Sequence, residues 1–310
     1  MIDYKDKLIL ESLTQNCRVA TSQLSKITRL SQPSVVYRIK RLEDNGYISK
    51  YDAIINHKKF PYYKDIIFLS IPEDKREKFE MWTINNKHIC WNIRLIDKMN
   101  YVLYVFSRNQ EEREELYKYI ESNSYEYKSY AFEDILFDNF TLFGMNLNVK
   151  KPRIEKDKNL KLDEADIKLI KHLTDGGGRD PILDIANKIG IHYETLLYKF
   201  KRLTKANYFP LFLAQPSTKR FSTQIDILLI KSDMSFEEVF KKLKGLKEIS
   251  YLIKLSGNYY YSQIISNDFR EYKDCIEKIN IRFRGLGEVK IYNTKDWVFI
   301  NRYPFEWLLE

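Results

Sequence analysis

Between Ser31 and Arg41 the chain places small polar residues, one aromatic and three cations at helical spacing: Ser31, Gln32, Pro33, Ser34, Tyr37, Arg38, Lys40 and Arg41. Side chains of these types hydrogen-bond to base edges and neutralise phosphates, so the chemistry they offer is recognition of duplex DNA. Val35, Ile39 and Leu42 recur at spacings of four and three and form the inward stripe of a helix. Pro33, Tyr37, Lys40 and Arg41 fall on the opposite face, with Gln32 and Ser34 at the leading end. Arg38 lies on the flank of the apolar stripe and suits a phosphate better than a base. Glu43 and Asp44 in the last turn would face a phosphate poorly, so contact should concentrate in the first half of the helix.

The same phrase returns from His192 to Phe209. Leu196, Phe200 and Leu203 replace Val35, Ile39 and Leu42, while Tyr198, Lys201, Arg202 and Tyr208 repeat Tyr37, Lys40, Arg41 and Tyr47 as identities. Any duplicated fold repeats its core positions; the repetition of solvent-facing positions is harder to explain by packing alone. The second set of candidate DNA contacts is Tyr193, Thr195, Tyr198, Lys199, Lys201 and Arg202. Glu194 stands where the first copy has Pro33, and an acid there repels the backbone unless it accepts from a cytosine amine.

Patterns for bond-making chemistry are missing. His57, His88, His172 and His192 are dispersed, without metal-ligand spacing. Cys17, Cys90 and Cys275 are odd in number and far apart, so neither a disulfide framework nor a zinc motif is expected. Gly176-Gly177-Gly178 follows no strand and precedes no Lys-Ser/Thr, which leaves a flexible turn rather than a phosphate loop. There is no serine elbow and no paired acidic motif. The expectation is a binding protein, not an enzyme, with no cofactor and no metal.

Short capped helices must position the recognition residues. Ser31 caps the amino end, Pro33 sits in the first turn and Gly46 closes the carboxyl end. Thr21 to Thr28 forms a helix just before it, joined through Arg29-Leu30, and this pair fits a helix-turn-helix. Asp3 to Thr14 supplies a third helix with Leu8, Ile9 and Leu13 inward, and Tyr4 as a further candidate. Tyr47 to Asn56 alternates like a strand or wing. From Phe60 onward the order is strand Ile66–Ile71, helix Glu73–Asn85, strands Cys90–Leu95 and Asn100–Phe106, helix Gln110–Glu121 and strand Tyr127–Phe137. This is the split β-α-β-β-α-β order of ferredoxin-like domains. After a polar stretch from Leu147 to Asn159 the whole pattern repeats at constant spacing, shifted by one residue at the triple glycine. In the second wing Pro210 removes a strand donor, and the apolar run Phe209 to Leu213 is expected to pack against another domain.

The predicted class is α+β: two winged helix-turn-helix domains and two ferredoxin-like βαββαβ domains in a tandem repeat. The segments are 1–56, 57–146, a linker at 147–160, 161–215 and 216–310. Hydrophobic content of 44% is that of a folded chain, and a formal net charge of +9 allows a polyanionic partner. The charged start Met1 to Leu8 lacks an apolar signal core, and no apolar run nears the roughly 18 residues a membrane span needs. A cytoplasmic protein without membrane association is expected.

Asp3, Asp6, Ile9-Leu10, Leu13, Arg18, Leu24, Leu30-Ser31, Arg38-Ile39, Arg41-Leu42-Glu43 and Gly46 with Ile48 resemble the Lrp/AsnC family of bacterial and archaeal transcriptional regulators. The resemblance implies DNA-binding transcriptional control, self-association through the ferredoxin-like domains and a small-molecule effector such as an amino acid. Familiar members carry one such unit, so two in one chain is a departure that lets one chain supply both halves of a pseudo-dimer. The family's effector turn, Gly-rich and followed by Asp, falls at Asp97 and Asn100 in the first copy and at Gly257 and Tyr260 in the second; Gly257 matches it, and neither copy has the following Asp. An alternative comes from siroheme decarboxylases, which look like paired Lrp/AsnC units turned to tetrapyrrole chemistry. Trp91-Asn92-Ile93-Arg94 and Asn100 resemble their central-strand segment, with Arg94 as a candidate for holding substrate carboxylates.

Overall fold

A computed structural model describes residues 2–137, 159–249, 251–266 and 268–299, together with Met145, Leu147 and Val149. Most of the polar stretch 147–160, the segment 138–144 and the end of the chain from 300 lie outside the described residues. In the first half the elements are α1 (Tyr4–Gln15), α2 (Thr21–Thr28), α3 (Gln32–Asp44), β1 (Ile48–Ile54), β2 (Tyr63–Ser70), α4 (Arg76–Asn85), β3 (Ile89–Leu95), β4 (Tyr101–Ser107), α5 (Gln110–Asn123) and β5 (Glu126–Phe137). The second half supplies α6 (Glu164–Thr174), α7 (Ile182–Ile189), α8 (Tyr193–Lys205), β6 (Leu211–Pro216), the short α9 (Thr218–Phe221) and β7 (Gln224–Lys231). It continues with α10 (Phe236–Leu243), β8 (Tyr251–Leu255), β9 (Tyr259–Ser266), α11 (Phe269–Phe283), β10 (Glu288–Tyr292) and β11 (Thr294–Phe299).

These elements gather into two compact units, one drawn from residues 1–59 and 139–222, the other from 60–138 and 223–307. In the first unit α1, α2 and α3 bury Ile9, Leu10, Leu13, Leu24, Val35 and Leu42 against one another. Leu10 is thus a core residue, while Tyr4, a candidate for the inward face, stands 64% exposed. The α6–α8 group repeats this arrangement with Ile167, Ile170, Leu173, Ile185, Leu196 and Leu203.

The strands leaving the two groups pair with each other rather than standing as separate wings. β1 and β6 run antiparallel from Ile48 opposite Pro216 to Ile54 opposite Leu211. The apolar run from Phe209 to Leu213, which enters β6, therefore packs inside this unit, with Phe209 and Phe212 buried and their rings 5.6 Å apart. Each strand also receives the end of the other group's first helix: Cys17 N–H donates to Phe212 O and Gly178 N–H to Tyr51 O, both at 2.8 Å. That approach explains the triple glycine, which is a tightly packed loop and not a loose turn. A Cβ on Gly178 would stand 2.7–2.8 Å from the Asp52 and Tyr51 backbone, and one on Gly177 would strike the His172 ring.

The second unit holds one nine-stranded sheet in the order β10-β7-β9-β8-β5-β2-β4-β3-β11. Within each half the strands lie last-first-third-second, the order of a split β-α-β motif. The last strand of each half then continues into the other. Glu126 to Ala131 of β5 pairs with β2, and Phe132 to Phe137 pairs with β8. The final segment, expected as one strand, breaks at Asn293 into β10 on β7 and β11 on β3. Alternate residues on both faces are apolar because both faces are covered. Ile66, Phe68, Tyr104 and Tyr130 share one core with Ile227, Leu229, Ile253, Tyr261 and Tyr292 from the other half. On the opposite face Ile67, Leu69 and Leu103 pack with Phe79 of α4 and Leu116 and Ile120 of α5. Leu228, Ile230 and Leu252 do the same with Val239 of α10 and Cys275 and Ile279 of α11. Among the described residues no helix is long and apolar enough to cross a membrane, and no group of His, Cys, Asp or Glu is placed to hold a metal ion.

Candidate nucleic-acid interface

The geometry of α3 follows from local sequence. The Ser31 hydroxyl accepts the Ser34 N–H at 3.3 Å, which satisfies one of the free amides at the helix start, and Pro33 falls in the first turn. Gly46, at φ +67°, ends the helix, with the Tyr47 N–H donating to Leu42 O at 2.9 Å. Burying Val35, Ile39 and Leu42 leaves Gln32, Pro33, Val36, Tyr37 and Lys40 exposed along the other side. Tyr37 is 66% exposed, and neither it nor Lys40 makes a hydrogen bond or ion pair among the described residues. Ser34 is half-buried at the leading end.

Arg38 and Arg41 turn inward, contrary to their assignment to the DNA-facing set. Asp3 and Asp6 form a capping box at the start of α1, and Asp6 is fully buried. Arg38 Nη1 donates to Asp3 Oδ2 at 2.7 Å and to Asp6 Oδ1 at 2.8 Å, and Arg41 Nη2 donates to Asp6 Oδ2 at 2.6 Å. The Arg38 hydrogen bond, helped by the Asp6 amide, holds the Asp3 carboxyl below its usual range. Reciprocally, the two carboxylates raise the Arg38 pKa. A buried carboxylate needs such donors, so these arginines are structural counter-ions first.

The α6–α8 group shows the same device. Asp163 and Asp166 form a capping box; Lys199 pairs with both carboxylates and Arg202 with Asp166. Lys199 is only 8% exposed, which removes it from any outer face. Its hydrogen bond is the main cause that depresses the Asp163 carboxyl to about 2. The repeated Arg41/Arg202 identity is therefore explained by packing after all. So is Tyr208, which is buried and whose hydroxyl accepts the Leu160 N–H at 2.9 Å. What recurs on the surface is narrower: Tyr37 with Tyr198, the latter 65% exposed, and Lys40 with Lys201. Tyr193, Thr195 and Glu194 are also exposed at the start of α8, where His192 provides no side-chain cap. The carboxylate partners of these arginines lie two helices earlier in sequence, and only the Asp-x-x-Asp spacing hinted at them.

Each of the four effector candidates has its own local surroundings. Asn100 spends its amide on Ile71, accepting that N–H and donating to that carbonyl, each at 2.8 Å. Tyr260 is buried and its hydroxyl donates to Met234 O. Asp97 is exposed in the β3–β4 turn, and its carboxylate accepts the Lys98 N–H at 2.6 Å. Gly257 occupies the left-handed region in the β8–β9 turn. Arg94, the candidate for substrate carboxylates, is likewise committed: it binds Glu80 through two donors and Asp296 at 2.7 Å. Those two carboxylates raise its pKa further, Glu80 contributing most. The neighbouring Asn92 is buried and donates to Thr83 Oγ1 at 2.9 Å. The four histidines stay apart: His57 is buried, His88 contacts Phe106 O, His172 contacts Asp180 and His192 is exposed.

Comparison with known proteins bears on the first three helices. The model of the winged helix-turn-helix DNA-binding family matches residues 2–49. The regulator LrpA of Pyrococcus abyssi is 39% identical over 62 residues, 20% of this chain and 44% of that protein. Residues 2–49 thus match a winged helix-turn-helix DNA-binding model and are similar to the corresponding part of a relative that is itself a transcriptional regulator. The leucine-responsive regulatory protein of Haemophilus influenzae is 25% identical over 154 residues, 48% of this chain and 91% of its own. The match to LrpA thus spans less than half the length of that relative. Over the whole chain the fold is that of the siroheme decarboxylase NirDL, with a TM-score of 0.62, 15% identity and coverage of 98% of this chain and 97% of the other. NirDL in co-complex with an iron-uroporphyrin III analogue gives a TM-score of 0.64 at the same identity.

Proposed function

We propose that this chain is a sequence-specific, DNA-binding transcriptional regulator built as a tandem of two helix-turn-helix and ferredoxin-like units. The observation that carries the reading is the outer face of α3, exposed and without a polar partner for Tyr37 or Lys40 among the described residues. Gln32, Pro33, Val36, Tyr37 and Lys40 are exposed on a well-capped helix within a winged helix-turn-helix. Such a helix enters the major groove by its amino-terminal half. Tyr37 and Gln32 then face base edges, Lys40 faces a phosphate or guanine, and Arg38 and Arg41 hold the helix to α1. The α8 face offers Tyr193, Thr195, Tyr198 and Lys201 as a weaker second reader. The β1–β6 ladder ties the two helical groups into one unit, as a two-half-site reader requires. Two readers acting together would need recognition helices about 34 Å apart or a multiple of it, and unequal faces predict an asymmetric operator.

Selection from a random duplex library, at stated salt, tests the proposal. Enrichment of a defined sequence by the full chain, lost in Tyr37→Ala and weakened in Lys40→Ala, is the expected result. A library that emerges unenriched refutes it.

The whole-chain likeness to NirDL favours a second reading, tetrapyrrole chemistry on the paired modules. The engagement of Arg94 by Glu80 and Asp296 weighs against it, since a cation already paired twice is poorly placed to anchor substrate carboxylates. Titrating the chain with siroheme separates the two readings: an unchanged absorption spectrum removes the second.

A further inference from the structure

We propose that the unit carrying the two helical groups binds a small oxyanion, a phosphate or carboxylate group on a small molecule, between Arg18 and Arg179. A cleft of about 450 Å³ is lined by both arginines together with Thr21, Glu43, Tyr51 and Asp180. Arg18 and Arg179 stand at equivalent places in the repeat, each in the loop after the first helix of its group. Each reaches across to the other group's loop. Arg18 donates to Gly178 O at 2.8 Å and Asp180 O at 3.1 Å, and Arg179 donates to Cys17 O.

These contacts fix the side chains without neutralising them. Among the described residues every hydrogen-bond acceptor of the two arginines is a neutral carbonyl, and neither arginine forms an ion pair with a carboxylate. The Arg18 guanidinium carbon also lies 4.8 Å from the Phe200 ring centre, and that of Arg179 lies 5.8 Å from Tyr51. The two acids at the cleft make their side-chain hydrogen bonds to other groups than the arginines: Glu43 accepts the Tyr51 hydroxyl at 2.5 Å, and Asp180 Oδ2 lies 2.8 Å from His172 Nε2. Burial is the main cause that lowers the Arg18 pKa; repulsion from Arg179 acts the same way, against the pull of Cys17 and Asp180. Two like charges line one cleft with only neutral groups accepting their hydrogen bonds, an arrangement that an oxyanion joining them would relieve.

A guanidinium carries five donors in a planar fork. The carbonyl bonds use two on Arg18 and one on Arg179, leaving the remainder for an oxyanion. Thr21 adds a hydroxyl at the first position of α2, whose cap residue Ala20 contributes no side-chain hydrogen bond. The volume accommodates a small molecule. Lining from two sequence-distant loops makes the site dependent on the paired arrangement of the helical groups.

Isothermal titration of the full chain in a low-salt buffer free of phosphate, with inorganic phosphate and succinate as separate probes, tests the assignment. Saturable binding of at least one probe is expected. Arg179→Gln should weaken it about tenfold or more, because a bidentate charge-assisted contact is lost. Thr21→Val, which disturbs neither arginine, should weaken it less, and Lys118→Gln on α5 controls for the loss of one charge. Absence of saturable heat with both probes up to about 10 mM overturns the proposal, as does equal binding by wild type and Arg179→Gln. Duplex DNA supplies phosphate too. If Arg179→Gln lowers DNA affinity while small anions bind neither protein, the pair is a backbone contact and the small-molecule site is refuted.

Discussion

Arg41 and Lys40 are adjacent cations on one helix, yet the structure gives them different work, and their alanine variants should separate it. Lys40 is exposed and has no hydrogen-bond or ion-pair partner among the described residues, so Lys40→Ala should leave stability within about 0.5 kcal/mol. It should weaken DNA binding and reduce the slope of log affinity against log salt by about 1 if Lys40 neutralises a phosphate. Arg41→Ala removes a 2.6 Å contact to a carboxylate with no solvent exposure. Breaking a fully buried pair costs about 3–5 kcal/mol. Here Asp6 keeps Arg38 at 2.8 Å and the Asp3 N–H at 3.0 Å, and the Arg41 side chain is 38% exposed. Retained donors and solvent screening bring the expected loss to about 1–2 kcal/mol. Asp6→Ala strips both arginines and the capping box together and should cost about 3 kcal/mol. Urea titration followed by circular dichroism reads the stabilities, and fluorescence anisotropy on a selected duplex reads affinity. If Arg41→Ala leaves the urea midpoint unchanged and lowers DNA affinity as much as Lys40→Ala, the inward assignment of Arg41 is wrong.

Three further outcomes follow from particular contacts. The Asp163 carboxyl lies near 2 in the folded chain against an ordinary 3.8, so its contribution is present above about pH 4 and is lost as pH falls toward 2. Lys199→Met should flatten the pH dependence of stability across that window, and a wild-type acid titration curve in the variant would contradict the pairing. Gly178→Ala should destabilise by about 2 kcal/mol or more, because the new methyl meets the β1 backbone at 2.7–2.8 Å; an unchanged melting temperature would show the loop to be slack. Arg94→Gln should speed hydrogen exchange on β3 and β11 by releasing Asp296, while exchange on β7 and β10 stays as in wild type.

Much of this protein is legible along the chain. The stripe of Val35, Ile39 and Leu42, the Ser31 cap and the Gly46 stop set the bounds of α3 to within a residue or two. These are local signals, spent within a few turns of the backbone that carries them. The β-α-β-β-α-β order of each half follows in the same way from short alternating runs and charged helices. Even the repeat is visible, since duplicated elements keep their spacing.

Charge on a helix surface is a different kind of property. Whether Arg41 meets water or a carboxylate depends on Asp6, 35 residues earlier, and periodicity says nothing about which α1 side chain stands beside it. The identical surface residues of the two copies looked like evidence of recognition, but Arg41 and Arg202 repeat because each copy buries an aspartate that needs a donor. Strand partnership is equally non-local. Pairing of β1 with β6, and the passage of β5 and β11 into the opposite half, depend on backbone groups far apart in sequence finding one another. Sequence by itself determined which helices and strands form and which faces are apolar, because those choices are made within each segment. Tertiary structure alone decided which cations remain free and which strands share a sheet, because a charge or an open backbone edge is answered only by whatever the fold brings next to it.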